Sequence, residues 1–362
     1  MTGPKALRLA VVPGDGIGVE TTREAVRVLE ALAADGAFAL SMTRFPWSAD
    51  HYLATGESLP DGAFEMLSRD FDAILVGAFG DPRIPDMRHA KEILLGMRFR
   101  MDLYVNYRPV KCLDDRLSPL KKWSAKDIDF VIFRENTEGS YAGMGGSFKK
   151  GTPDELAIEE DVSTRKGVER ICRHAFEHAL AFEKPKRLGR KPRVLMADKH
   201  NVHRFGGDLW HRVFLEVADA YPGCDASHMF VDALTMQMVK NPAALDVVVT
   251  NNMFGDIVTD LGAMLQGGLG VAASGNIHPG RTSMFEPIHG SAPYMAGKNV
   301  ANPLGSILTV GMLLETLGHA EAASRVERAA VETIRRGATT ADLGGTLSTS
   351  EAGDAVLHVL GA

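Results

Sequence analysis

Short apolar runs alternate along this chain with longer stretches in which apolar residues recur every three or four positions. The runs at residues 7–12, 73–76, 128–133, 194–197 and 245–250 are rich in branched side chains and bounded by Gly, Asp or Pro. They predict buried strands, because a strand covered on both faces needs no polar alternation. The periodic stretches at 19–33, 167–182, 203–220, 303–317 and 321–336 predict helices with one apolar face. Strand and helix in turn predict an α/β protein whose helices cover a sheet. No internal repeat or low-complexity linker interrupts the pattern. One stretch resists it: residues 143–153, with four glycines among eleven residues, suit neither a helix nor a core strand. They predict a projecting arm or hairpin.

Composition narrows the class. At 362 residues the chain has room for one large or two medium domains. A net charge of −6 and the lack of a dense Lys/Arg run argue against a nucleic-acid partner. The strongest basic stretch, 184–193, carries two prolines and predicts a surface loop. Cys112, Cys172 and Cys224 are odd in number and widely spaced, which predicts reduced, structural thiols. With neither a leader-like apolar segment nor a membrane-length run, the expectation is a cytoplasmic chain with no membrane partner.

The candidate chemistry begins with Asp256 and Asp260. Four residues apart, they lie on one face if the segment after the 245–250 strand is helical. Like charges so placed repel by about 0.2–0.5 kcal/mol, and a hard cation such as Mg²⁺ or Mn²⁺ would turn that repulsion into binding. Asp232 is a lone acid in an apolar setting, and burial there would require a partner, for which a metal would serve. Arg98, Arg108 and Arg134 each close an apolar segment and together suit a substrate with two or three carboxylates. Lys199 follows a strand, where a lysine can act as general base, and Tyr141 lies near Arg134 as a candidate proton donor. The turn Pro13–Gly18 reads G-x-G-x-G, not the dinucleotide fingerprint, though its amides at a helix start can face an anion or cofactor. Residues 286–293 form a polar loop of small residues with one imidazole, His289, open to a flat ligand.

Taken together, the segments 13–18, 252–260, 267–270 and 286–293 resemble the decarboxylating β-hydroxyacid dehydrogenases, the family of isopropylmalate, isocitrate, homoisocitrate and tartrate/D-malate dehydrogenases. The resemblance spans essentially the whole chain. It implies the isopropylmalate/isocitrate dehydrogenase-like two-domain fold, α/β and non-Rossmann. Residues 1–103 and 267–362 would form a first, cofactor-side domain. Residues 104–266 would form a second domain, with a dimerisation arm at about 137–165. It also implies a homodimer with shared active sites. Lys199 and Asp232 would reach in from the neighbouring subunit. Asp232, Asp256 and Asp260 would hold Mg²⁺ or Mn²⁺. Arg98, Arg108 and Arg134, with Asp232, would bind the malate, Lys199 would be the base and Tyr141 the acid. His289, Gly290, Ser291, Ala292, Asn302 and Asp342 would cradle NAD.

Substrate and coenzyme hang on two places. Leu94 and Leu95 stand where isocitrate enzymes carry Ser and Asn, which suits an isopropyl group better than a third carboxylate. The expectation is 3-isopropylmalate with NAD, giving 2-oxoisocaproate for leucine biosynthesis, although segments 134–139 and 344–349 look like tartrate/D-malate enzymes. After Ala292-Pro293 comes Tyr294 where NAD-dependent members place an acid, so reduced discrimination against NADP is expected. An inactive regulatory subunit is the rival reading. It is disfavoured because Lys199, Tyr141 and the three aspartates are all retained.

Overall fold

A computed structural model describes residues 6–361. Its strands, in chain order, are β1 (Leu7–Gly14), β2 (Leu40–Arg44), β3 (Ala73–Ala78), β4 (Val105–Lys111), β5 (Asp129–Glu135), β6 (Gly145–Phe148), β7 (Leu156–Glu159), β8 (Arg193–Asp198), β9 (Asp225–Phe230), β10 (Val247–Thr250), β11 (Ala273–Ile277) and β12 (Ser283–Pro287). The chain divides into two compact units. One takes the described residues up to Leu103, then Lys111–Ala125, then those from Ala263 onward, and the other takes Tyr104–Val110 and Lys126–Gly262. Segment 111–125 thus packs with the terminal segments, inside the stretch 104–266 that the sequence reading assigned whole to the second domain.

In the first unit the strands lie in the order β2-β1-β3-β12-β11. All neighbours are parallel except β11, which runs antiparallel to β12. Ala10, Val12, Ile74 and Val76 face one side, where Phe64, Leu67, Ile93 and Met97 close a core over them. Alternation sends Leu9 and Val11 to the other face, and both are buried too. The helices Ile17–Ala34, Leu304–Thr316, Ala320–Arg335 and Thr349–Leu360 pack on one another and on this sheet. Both faces are therefore covered, and the strands read as unbroken apolar runs.

In the second unit the order is β4-β5-β10-β8-β9, with β5, β10, β8 and β9 mutually parallel. The helices Arg165–Ala181 and Arg204–Ala218 pack together and against these strands. The glycine-rich stretch forms the antiparallel hairpin β6–β7, whose residues are all exposed.

The strand and helix predictions hold. The basic stretch is mostly exposed, as expected, but its start departs from a plain surface loop. Lys184 lies in the short helix Glu183–Arg187 and is buried, its Nζ donating to the carbonyls of Asp129 (2.9 Å) and Leu245 (2.6 Å). Arg190 forks onto the fully buried Asp246. These two cations close the amino ends of the interior strands β5 and β10. No described helix is long and apolar enough to cross a membrane.

Candidate active site

In the second unit every expected polar group but Arg108 gathers at the carboxyl ends of parallel strands, where α/β proteins place ligands. Arg134 is the penultimate residue of β5, and Tyr141 sits in the turn Gly139–Ala142 that follows. Lys199 comes directly after β8, and Asp232 lies in the first turn of the helix Val231–Lys240 that follows β9. The helix Asn252–Leu265, two residues after β10, carries Asp256 and Asp260 on one face, as the spacing predicts. Arg108 lies within β4.

Arg134 organises this edge. It is 1% exposed, donates from Nε to Asn252 Oδ1 (2.8 Å) and from Nη1 to Asp256 Oδ1, and its guanidinium lies 4.9 Å from the centre of the Tyr141 ring. The Tyr141 hydroxyl donates to the other oxygen of Asp256 at 2.7 Å. Asn252 is held in turn, donating to the Glu138 carbonyl at 2.8 Å. Gly255 makes room for the arginine: a Cβ there would meet Arg134 Cγ at 2.5 Å and Cβ at 2.6 Å. Asn252 and Gly255 lie in the motif 252–260 but were given no role from sequence, since what they do shows only when Arg134 is laid beside them.

The acids fit a divalent cation in part. Burial and then the charge of Asp256 push the Asp260 carboxyl above its ordinary value, while Arg108 and Arg134 draw it back down. A cation between the two carboxylates would remove that penalty. Asp232 corrects the sequence reading: its side chain is 64% exposed, not buried, and it pairs with Lys199 Nζ at 2.8 Å. That lysine holds the Asp232 carboxyl below the usual carboxylate range. Among the described residues of a single chain, Asp232 does not join Asp256 and Asp260 in a three-acid cluster. Arg108 is buried and donates to Asn106 Oδ1 at 2.9 Å.

The first unit holds the remaining residues. Arg98 is buried and donates to Glu286 Oε1 at 2.9 Å, while its Nε meets no partner among the described residues. Leu94 and Leu95 end a π-helical turn, Lys91–Leu95, a local distortion common at functional sites. Leu94 packs against the unit's own core, so only part of its surface is open.

Three carboxyl-end loops meet in this unit. Asp15 is buried and accepts from the amides of Ala49 (2.6 Å) and Gly80 (2.8 Å), and it pairs with His89 at 2.8 Å. The Ile17 amide donates to the Ser291 carbonyl at 2.8 Å and the Gly18 amide to Asp15 at 2.9 Å. Three amides of this turn, those of Asp15, Ile17 and Gly18, are therefore spent inside the fold. Gly16 is required here, with φ +56° and a hypothetical Cβ 2.0 Å from the Ser291 carbonyl oxygen. Ala292 holds φ +38°, a conformation costly for a side-chain-bearing residue. His289 is kept neutral by burial. Its Nδ1 donates to the Gly290 carbonyl at 3.1 Å, leaving Nε2 a buried acceptor without a donor among the described residues. A ligand amine or hydroxyl would satisfy it. Asn302 donates to Asp342 at 2.9 Å, and Gly270 lies against both.

A family model described as isocitrate/isopropylmalate dehydrogenase matches residues 8–356. The chain belongs to this family. Like other members described by that model, it is an oxidoreductase. It is 46% identical over 352 residues to the 3-isopropylmalate dehydrogenase of Thermobifida fusca, covering 97% of this chain and 96% of that one. With the 3-isopropylmalate dehydrogenase of Mycobacterium tuberculosis it shares 44% over 325 residues, 89% of this chain and 92% of that one. Among solved structures, the isocitrate dehydrogenase from Methylococcus capsulatus superposes with a TM-score of 0.84 at 33% identity, covering 98% of this chain and 99% of that one. The α/β fold read from the sequence is thus shared with this solved relative.

Proposed function

We propose that this chain catalyses the metal-dependent oxidative decarboxylation of 3-isopropylmalate to 2-oxoisocaproate with reduction of NAD, a step of leucine biosynthesis in the cytoplasm. The observation that carries the proposal is the Arg134–Asp256–Tyr141 group beside Asp260, in a chain 44–46% identical over nearly its full length to named 3-isopropylmalate dehydrogenases. Arg98, Arg108 and Arg134 hold the carboxylates of the malate. Asp256 and Asp260 hold Mg²⁺ or Mn²⁺, with Asp232 supplied by a second copy. When bound, the cation would supply Lewis-acid polarisation at the C2 hydroxyl, and the nicotinamide would supply the hydride acceptor.

Lys199 takes the hydroxyl proton as C2 is oxidised to the ketone. The bond from C3 to its carboxylate then breaks, releasing CO₂ and leaving the electron pair as an enolate. Tyr141 gives its proton to C3, and the guanidinium over its ring stabilises the phenolate left behind. Leu94 and Leu95 present apolar surface to the isopropyl group. His289 to Ala292, Asn302 and Asp342 hold the adenosine end of NAD. Tyr294, 74% exposed where a ribose-binding acid is expected, leaves discrimination against NADP weak.

The second copy is argued from exposed apolar surface. Phe148, Leu156 and Ile158 on the hairpin stand in the open, as do Met236, Val239, Ile257 and Met264 on the helices that carry Asp232, Asp256 and Asp260. A two-stranded hairpin is marginal alone, so a partner is needed to hold it.

A turnover panel tests the reading: 3-isopropylmalate, D-malate, tartrate and isocitrate, each with NAD and NADP. The highest kcat/KM is expected for 3-isopropylmalate with NAD. A preference for D-malate or tartrate would move the assignment to that branch. A kcat/KM for NADP about tenfold above that for NAD, or 1.4 kcal/mol, would overturn the coenzyme.

A further inference from the structure

Beside the residues used above lies a second group that the proposed reaction leaves idle. Asp198, the last residue of β8, is 3% exposed. His228 on the edge strand β9 approaches one of its oxygens with Nε2 at 2.7 Å, and His200 Nδ1 lies 3.1 Å from both. The three ligand atoms lie within 4.8 Å of one another, and no other such trio occurs among the described residues. A third imidazole, His211, stands with its ring centre 5.0 Å from that of His200 and 5.3 Å from that of His228. One histidine would satisfy a buried carboxylate, and here two contact it while a third imidazole packs beside their rings.

We propose that Asp198, His200 and His228 form a second metal site, selective for a borderline divalent cation such as Zn²⁺, with His211 or water in the fourth position. The donor set decides the ion. Two imidazole nitrogens and one carboxylate suit zinc, whereas the all-oxygen set of Asp256 and Asp260 suits Mg²⁺ or Mn²⁺. The geometry is close to what zinc requires. Tetrahedral bonds of about 2.0–2.1 Å place ligand atoms about 3.3 Å apart, so the contacts of 2.7 and 3.1 Å would open by about 0.6 and 0.2 Å, while the two imidazole nitrogens already lie within 4.8 Å of each other. Binding requires each imidazole to carry its proton on the other ring nitrogen, with no change in charge. Because Lys199 follows Asp198, zinc here would tie together the ends of β8 and β9 that present Lys199 to Asp232. The inference does not depend on the proposed substrate.

The test uses the full chain, stripped with a chelator and then kept in millimolar Mg²⁺ to fill the oxygen site. Calorimetric titration with ZnCl₂ is expected to show one zinc bound per chain, and Co²⁺ to give the intense visible bands of a tetrahedral nitrogen-ligated ion. His200→Ala, at a partly exposed position that leaves the core intact, should weaken zinc at least about tenfold and abolish those bands. His228→Gln should do the same, and a melting curve for each variant separates lost ligand from lost fold. No zinc uptake over Mg²⁺, or uptake unchanged by His200→Ala, would overturn the site.

Discussion

Gly255 and Arg134 have to be understood as one unit. The arginine must pass its aliphatic stem along the helix Asn252–Leu265 to reach Asp256, and only a residue without Cβ lets it lie that close. Gly255→Ala should therefore displace Arg134 at a cost of about 1–3 kcal/mol, typical of overpacking. We expect a lower melting temperature together with a raised KM for the malate, because the displaced guanidinium is the group assigned to its carboxylate. Steady-state kinetics and a thermal melt check both, and unchanged KM would detach Arg134 from substrate. At this scale the sequence was most legible where chemistry is rare, as with two aspartates at helical spacing. It was least legible where a common residue matters through its neighbour: Asn252 and Gly255 became visible only against Arg134, and Lys184 only inside its ring of carbonyls.

The helix Arg165–Ala181 shows what packing does to ordinary side chains. His174 lies edge-on to Phe133 at 5.0 Å, and His178 contacts both Phe133 and Tyr107. Partial burial against these rings lowers both imidazoles from 6.5 to about 4. The unfolded chain takes up protons near pH 6.5 while the native one does not until about pH 4. Their contribution to stability is therefore full above pH 6.5 and is lost as pH falls through that window. The slope approaches at most about 1.4 kcal/mol per pH unit for each histidine. Urea midpoints between pH 7 and pH 5 should fall steeply for the native sequence and less so for His174→Phe/His178→Phe. Equal slopes would assign the acid sensitivity elsewhere. Periodicity marks this helix but cannot say which of its histidines meet Phe133.

For the whole molecule, the central question is whether one copy suffices. Lys199 pairs with Asp232, while Asp256 and Asp260 sit with Arg134 and Tyr141, and Asp232 stays out of their cluster within a single chain. A shared-site homodimer would reunite them. Mixing inactive Lys199→Met and Asp256→Asn chains, after dissociation and reassociation, should then restore roughly a quarter of native activity, because half of the dimers are mixed and each holds one intact site. A mixture as inactive as its parents, or a native chain sedimenting as a monomer, would sink the shared site.

By itself the sequence determined the alternation of buried strands and one-faced helices, the acidic pair on its helix, and the residues by which the family is recognised. These are local properties, fixed by periodicity and residue type over fewer than twenty positions. Only the tertiary structure decided which polar groups are already spent: the Ile17 amide on Ser291, Arg98 on Glu286, Asp232 on Lys199. It also gathered Asp198, His200, His211 and His228 from three separate segments around one carboxylate. Such pairings join residues far apart in the chain, 274 positions for Ile17 and Ser291, and arise from strand order and burial, which no local pattern encodes.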